Sequence, residues 1–266
     1  LNRDFIYYLN EAQVVGMMYN DNILKLGEMI GKRHINKYIK DPELKRKLTP
    51  TFKLGCKRVL LSNNYYQAIA QPNLDVVTDG IQKFTKDSVV TNDGKSRKID
   101  AIILGTGFHV ADSFQYYNVQ GKGGAQLKEV LGESPEAYYG TSIHQFPNLF
   151  IMLGPNTGLG HNSMVYMIES QTNYIIDCVQ KMLQQNIKSV EVKKEVQTKF
   201  NIEIQKKLEG TIWLSGCKSW YLSVDGKNHT VWPGFTLEFR NRTKHINLND
   251  YIVEKATKEE PEPALA

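Results

Sequence analysis

Ile99-Asp100-Ala101-Ile102-Ile103-Leu104-Gly105-Thr106-Gly107-Phe108-His109 is an apolar run that stops abruptly at two glycines. The run from Asp100 to Leu104 predicts a buried strand. A strand ending in Gly-Thr-Gly brings backbone N–H groups close to whatever lies beyond its carboxyl end. In open α/β sheets that is where nucleotide cofactors bind. The expected fold class is therefore α/β.

Outward from this stretch, Asn92-Asp93-Gly94-Lys95 separates Ser88–Thr91 from Ser96–Ile99 and predicts a hairpin. Short strands are expected at 58–62, 74–77 and 189–192, and a buried one at 147–153. Asp41-Pro42-Glu43 is a helix start: an N-cap acceptor, a proline at the first helical position and a carboxylate in the first turn. Residues 1–45 read as one or two amphipathic helices. The clearest helix runs from Ser163 to about Gln184, with apolar residues at Met164, Met167, Ile168, Ile175, Cys178, Val179 and Met182. A second helix is expected over 196–208. Residues 111–146 read as loop with short helix, and turns are expected at Asp225-Gly226 and Pro233-Gly234. The tail 252–266 reads as disordered.

Composition narrows the class. The chain has 266 residues, and 33 Lys and Arg against 28 Asp and Glu leave +5. That balance fits a lysine-rich solvated surface, with a few charges available to an anionic cofactor. No nucleic-acid partner is expected. No stretch is apolar over the roughly 18 residues a membrane span needs. Cys56, Cys178 and Cys217 stand at unrelated spacings, predicting neither a metal site nor a disulfide framework, and a cytoplasmic setting.

Other segments name a family. Gly55-Cys56-Lys57-Arg58 is followed by Asn64-Tyr65-Tyr66. Pro147-Asn148-Leu149-Phe150 leads into Gly154-Pro155-Asn156-Thr157-Gly158-Leu159-Gly160-His161-Asn162-Ser163. Cys217-Lys218-Ser219-Trp220-Tyr221 and Trp232-Pro233-Gly234 come later. With Gly105-Thr106-Gly107-Phe108, these segments resemble, in order, those of class B flavin monooxygenases of the Baeyer–Villiger type. The resemblance covers roughly residues 40–251. Tyr221-Leu222-Ser223-Val224-Asp225-Gly226-Lys227 departs from the family's Gly-Ala-Asn-x-Pro-Gly-Lys run.

The resemblance implies a flavoprotein with two Rossmann-type dinucleotide-binding domains and FAD and NADPH as cofactors. Its reaction inserts one oxygen atom of O2 into a ketone through a C4a-peroxyflavin, giving an ester or lactone. Arg58 matches the catalytic arginine, whose guanidinium stays protonated while a peroxyanion exists. Lys57 matches a lysine that contacts the NADPH 2′-phosphate, and Trp220 a tryptophan that reaches the nicotinamide ribose. Gly105, Thr106 and Gly107 match the strand end at the flavin. Gly154, Asn156 and Met164 match the loop and helix start facing its ring, where backbone N–H groups can bond the pyrimidine edge.

Each residue also has a plainer reading. A Lys-Arg pair is ordinarily surface charge, and Trp220 an ordinary core aromatic. His109 and His161 read as histidines that bond backbone. Cys56 lacks a partner that would make it reactive. An N- or S-oxygenating flavin monooxygenase, or a non-catalytic interaction protein of the same fold, stays open.

The family's opening Gly-x-Gly-x-x-Gly turn, its second such turn and its Phe-x-Gly-x-x-x-His-x-x-x-Trp fingerprint do not occur in this sequence. The expectation is a C-terminal fragment lacking the N-terminal βαβ units, its partner the missing half. In that division, 1–99 completes an NADPH-binding domain with a helical insertion and linking strands, and 100–251 completes an FAD-binding domain with substrate-side segments. The fragment is expected to be inactive alone.

Overall fold

The computed structural model describes residues 2–107 and 116–257. Phe108 and His109 lie outside the described residues. The elements, in order, are α1 (Asn2–Val14), a π-helical turn (Val15–Tyr19), α2 (Asn22–Tyr38), α3 (Pro42–Leu48), α4 (Tyr65–Ile69), β1 (Ile81–Phe84), β2 (Ser88–Thr91), β3 (Ser96–Lys98), α5 (Leu127–Leu131), α6 (Met164–Gln184), β4 (Ile187–Val192), α7 (Lys194–Leu208), α8 (Thr236–Arg242) and β5 (Tyr251–Lys255). The chain divides into two compact units, one of residues 1–25, 53–59 and 109–266, the other of residues 26–52 and 60–108.

In the second unit β1, β2 and β3 form an antiparallel sheet in chain order. The expected hairpin is present, with Val90 opposite Ser96 and Ser88 opposite Lys98. Its turn works because Gly94 takes φ 78°, and the Gly94 N–H donates to the Thr91 carbonyl at 2.9 Å. Asp93 adds a side-chain acceptor for the Lys95 N–H at 3.2 Å. The expected helix start also forms: Asp41 Oδ1 accepts from the Leu44 N–H at 2.6 Å, with Pro42 in the first turn of α3.

The first unit holds the main core. Trp213, Trp232, Tyr174, Tyr221, Phe239, Met167, Ile204 and Leu208 are all buried there. β4 pairs antiparallel with β5, Val192 opposite Tyr251. β5 thus carries regular structure into the stretch expected to be disordered from 252.

Helix α6 is capped by Ser163, whose Oγ accepts from the Val165 N–H at 3.3 Å. Its buried face is Met167, Ser170, Gln171, Tyr174 and Cys178, so the apolar pattern located the helix but not its full inner face. Gln171 belongs inside because its amide is used at both ends. Nε2 donates to the Gly140 carbonyl at 3.1 Å and to Thr141 Oγ1 at 2.8 Å, and Oε1 accepts from the Leu153 N–H at 2.9 Å. A buried amide so satisfied costs little.

Several expected strands are absent. Residues 58–62, 74–77, 100–104 and 147–153 carry no strand. Ile103 is 98% exposed and Leu61 95% exposed. An apolar run becomes a buried strand only where neighbouring strands take up its N–H and C=O groups. No described strand pairs with 58–62, 74–77 or 100–104, and 147–153 makes only isolated backbone bonds to other segments, the Asn148 N–H to the Val190 carbonyl and the Ile151 N–H to the Thr141 carbonyl.

The cysteine expectation is also corrected. Cys56 and Cys217 form a disulfide across a sequence separation of 161, with Cα atoms 6.3 Å apart. Such a pairing is a matter of folding, invisible in local spacing. Cys178 is free and buried.

Candidate functional site

The site in the first unit grows from two extended segments lying side by side. Residues 156–158 run parallel to residues 229–232. The Asn156 N–H donates to the His229 carbonyl at 2.8 Å, the Gly158 N–H to the Thr230 carbonyl at 2.7 Å, and the Trp232 N–H to the Gly158 carbonyl at 2.8 Å. The Asn156 side chain locks the pair, its Nδ2 donating to the carbonyls of Asn228 at 2.8 Å and Val231 at 3.1 Å. Asn156 takes φ 55°, a left-handed conformation that Asn tolerates better than most residues. Gly154 is required by packing: a Cβ there would collide with the Gly140 carbonyl oxygen.

Against this wall lies a cavity of about 270 Å³, lined among others by Arg58, Gly154, Met164, Trp220, Tyr221 and His229. Arg58 comes from residues 53–59, and the disulfide two residues before it ties that segment to the one bearing Trp220. Met164 opens α6. Trp220 stacks obliquely on Tyr221, ring centroids 4.5 Å apart. The expected Asp225-Gly226 turn forms, with Gly226 at φ 77° and the Ser223 N–H donating to the Lys227 carbonyl at 2.9 Å.

Electrostatics reinforce this arrangement. Burial raises the Tyr221 phenol above its usual range, and the nearby Arg58 guanidinium partly opposes that. Burial also pushes Asp225 up, but the Lys227 N–H, His229 and Ser134 all stabilise its anion, and its carboxyl ends below the usual value.

Of the residues named from sequence, Arg58, Gly154, Met164 and Trp220 line one cavity. Asn156 is buried between the lining residues Pro155 and Thr157, its N–H and amide engaged with the neighbouring segment. Lys57 is exposed and does not line the cavity. Gly105, Thr106 and Gly107 are exposed and belong to the second unit. Sequence reading missed His229, whose side chain is buried with Nε2 3.3 Å from Asp225 Oδ2. The Asp-x-x-x-His spacing across the turn was the available signal. His161 does not bond backbone as expected; its Nε2 lies 3.3 Å from Glu11 Oε1. Among the described residues no group of three His, Cys, Asp or Glu could hold a metal ion, and no helix is long and apolar enough to cross a membrane.

No family model matches the chain. It is 47% identical over 251 residues to a Baeyer–Villiger monooxygenase of Pseudomonas aeruginosa, a match covering 94% of this chain and 48% of that protein. A Baeyer–Villiger monooxygenase of Streptomyces coelicolor is 40% identical over 258 residues, 95% of this chain and 49% of the relative. The crystal structure of cyclohexanone monooxygenase from Rhodococcus sp. Phi1 bound to NADP+ matches with TM-score 0.80 and 25% identity, over 91% of this chain and 47% of that one. The fold of the described residues, mixed helix and strand, matches part of that structure. Over nearly its whole length the chain is similar to Baeyer–Villiger monooxygenases. It spans about half the length of the curated relatives it matches.

Proposed function

We propose that this chain is the C-terminal portion of an FAD- and NADPH-dependent monooxygenase that converts a ketone to an ester or lactone. The observation that carries the reading is the single cavity bordered by Arg58, Gly154, Met164 and Trp220, which are far apart in sequence. At about 270 Å³ it has room for one ring system of a cofactor or a small ketone, not for a whole dinucleotide. A guanidinium in the lining, an indole for stacking and a buried histidine nitrogen with no hydrogen-bond partner among the described residues suit a planar, polar, partly anionic guest.

FAD reduced by NADPH supplies the activation of O2. The chain's own residues bind and orient. Arg58 offers several N–H donors to oxygen carrying negative charge, which is electrostatic stabilisation of the transition state. Trp220 and Tyr221 form an apolar shelf that excludes water from one side. Lys57 pairs with a cofactor phosphate, and Gly105, Thr106 and Gly107 let a second cofactor surface approach backbone.

The domain reading goes with this function: 1–99 completes the NADPH-binding domain and 100–251 the FAD-binding domain. The exposed runs Val59-Leu60-Leu61 and Ile102-Ile103-Leu104 are then strands that pair with polypeptide beyond this chain.

The test is to incubate the purified 266-residue chain with FAD, NADPH and a cyclic ketone, beside a polypeptide extended to the relatives' length. Ketone-dependent NADPH consumption with ester formation is expected from the longer protein only. Turnover by the chain alone overturns the fragment reading. A longer protein that oxidises NADPH but never forms ester from any of a panel of ketones overturns the reaction.

A further inference from the structure

His229 sits in the cavity wall with 3% of its surface exposed. Its two ring nitrogens are in different situations. Nε2 is 3.3 Å from Asp225 Oδ2, whereas Nδ1 is buried and has no hydrogen-bond partner among the described residues. An ionised carboxylate only accepts, so Nε2 carries a proton, and a ring with that single proton presents a lone pair at Nδ1. Asp225 is itself held in place: Oδ1 accepts from the Lys227 N–H at 3.0 Å, and Lys227 Nζ lies 3.9 Å from Oδ2. A buried acceptor left unpaired is unfavourable, and a guest able to donate would recover that cost.

We propose that His229 is a ligand-binding residue that accepts a hydrogen bond at Nδ1 from a hydroxyl or N–H of the molecule in this cavity, with Asp225 as the positioning residue that fixes its tautomer. The inference rests on the cofactor-site reading above. It adds a requirement to that reading. The guest must carry an oxygen for Arg58 and a hydrogen-bond donor for His229, as a ribose or ribityl hydroxyl beside a phosphate or carbonyl does.

The experiment is nitrogen NMR of the 266-residue chain labelled at histidine, with NADP+ and FAD titrated separately and binding followed in parallel by Trp fluorescence. In the free chain Nδ1 gives the signal of an unprotonated nitrogen. One of the two probes shifts that signal to lower frequency with saturation, which identifies the source of the donor. His229→Phe keeps an aromatic ring but removes both nitrogens, and weakens binding of that probe roughly 3- to 10-fold.

Asp225→Asn is the second variant. The Lys227 N–H keeps the new amide oxygen at the Oδ1 position, so the amide nitrogen faces Nε2 and drives the proton to Nδ1. The two ring signals then exchange character and affinity falls although the imidazole remains. Saturable binding with Nδ1 unshifted and an unchanged dissociation constant in His229→Phe overturns this inference and leaves the site reading standing. Failure of both probes to bind the wild-type chain at millimolar concentration overturns the site reading, and the inference with it.

Discussion

Cys56 is covalently joined to Cys217, so the segment carrying Arg58 and the segment carrying Trp220 cannot separate while the bond is intact. Closing so long a loop removes much of the unfolded chain's freedom and stabilises the fold by about 2–4 kcal/mol. The melting temperature should therefore fall on adding a thiol reductant, and Cys217→Ser should show the lower value without it. Alkylation and peptide mass mapping of the unreduced protein should label Cys178 alone, after denaturation.

Arg58 is the residue whose loss should separate chemistry from cofactor reduction. In the protein extended to family length, Arg58→Ala should lower ester formation by roughly 10²- to 10³-fold while NADPH still reduces the flavin. Arg58→Lys should restore little, because a lysine presents a point charge rather than a planar fork. An N- or S-oxygenating enzyme would keep sulfide oxidation in Arg58→Ala. Product analysis by gas chromatography beside stopped-flow absorbance reads both.

Glu11 should govern acid stability. The Thr236 N–H and Oγ1 donate to its carboxylate at 3.0 and 2.7 Å, and Asn162 Nδ2 donates at 2.7 Å. Burial raises its pKa, but His161, Thr236 and Asn162 outweigh that and leave it below the usual 4.5. A depressed carboxyl contributes stability above its unfolded value, and that contribution disappears as the pH falls through the folded value. The wild-type protein should lose stability below about pH 4.5, and Glu11→Gln should flatten that limb of the profile. Glu11→Ala, which leaves the buried Thr236 N–H unpaired and takes one acceptor from the partly buried Asn162 amide, should cost about 1–3 kcal/mol in urea unfolding at neutral pH.

Gly140→Ala tests how the cavity wall is held. Gly140 takes φ 60°, and a Cβ there would lie 2.6 Å from the Pro155 carbonyl oxygen and collide with Thr157. The substitution should destabilise the protein by about 2 kcal/mol or more. It should also displace residues 154–158, seen as altered Trp220 fluorescence. Gly94→Ala, at a turn with open space, should cost only the strain of its positive φ, about 1 kcal/mol.

These residues also show which parts of the structure sequence could reveal. Asp93-Gly94 and Asp41-Pro42 act on their immediate neighbours, so their turn and cap were legible locally. Met167 and Cys178 repeat with the helical period, so α6 was legible too, though the pattern omitted the buried Tyr174. Gln171 was not, since a glutamine enters a core only when distant groups satisfy it, here the backbone of 139, 140 and 153 and the Thr141 hydroxyl. Ile103 and Leu61 misled because strand character depends on neighbours outside the run. Cys56 with Cys217 is a tertiary pair, whereas Asp225 with His229 is a local one, four residues apart. The first is unreadable from spacing, and the second was available in the turn but carried no weight until His229 proved buried.

The disulfide has one more consequence, for the analysis of proteolytic nicks. Residues 57–216 form a ring closed by Cys56 and Cys217, and the second unit's hairpin Ile81–Lys98 lies inside it. A single protease cut anywhere in that hairpin leaves both pieces on one covalent thread. Such a nicked protein keeps its full mass under oxidising conditions and falls into two bands only after reduction.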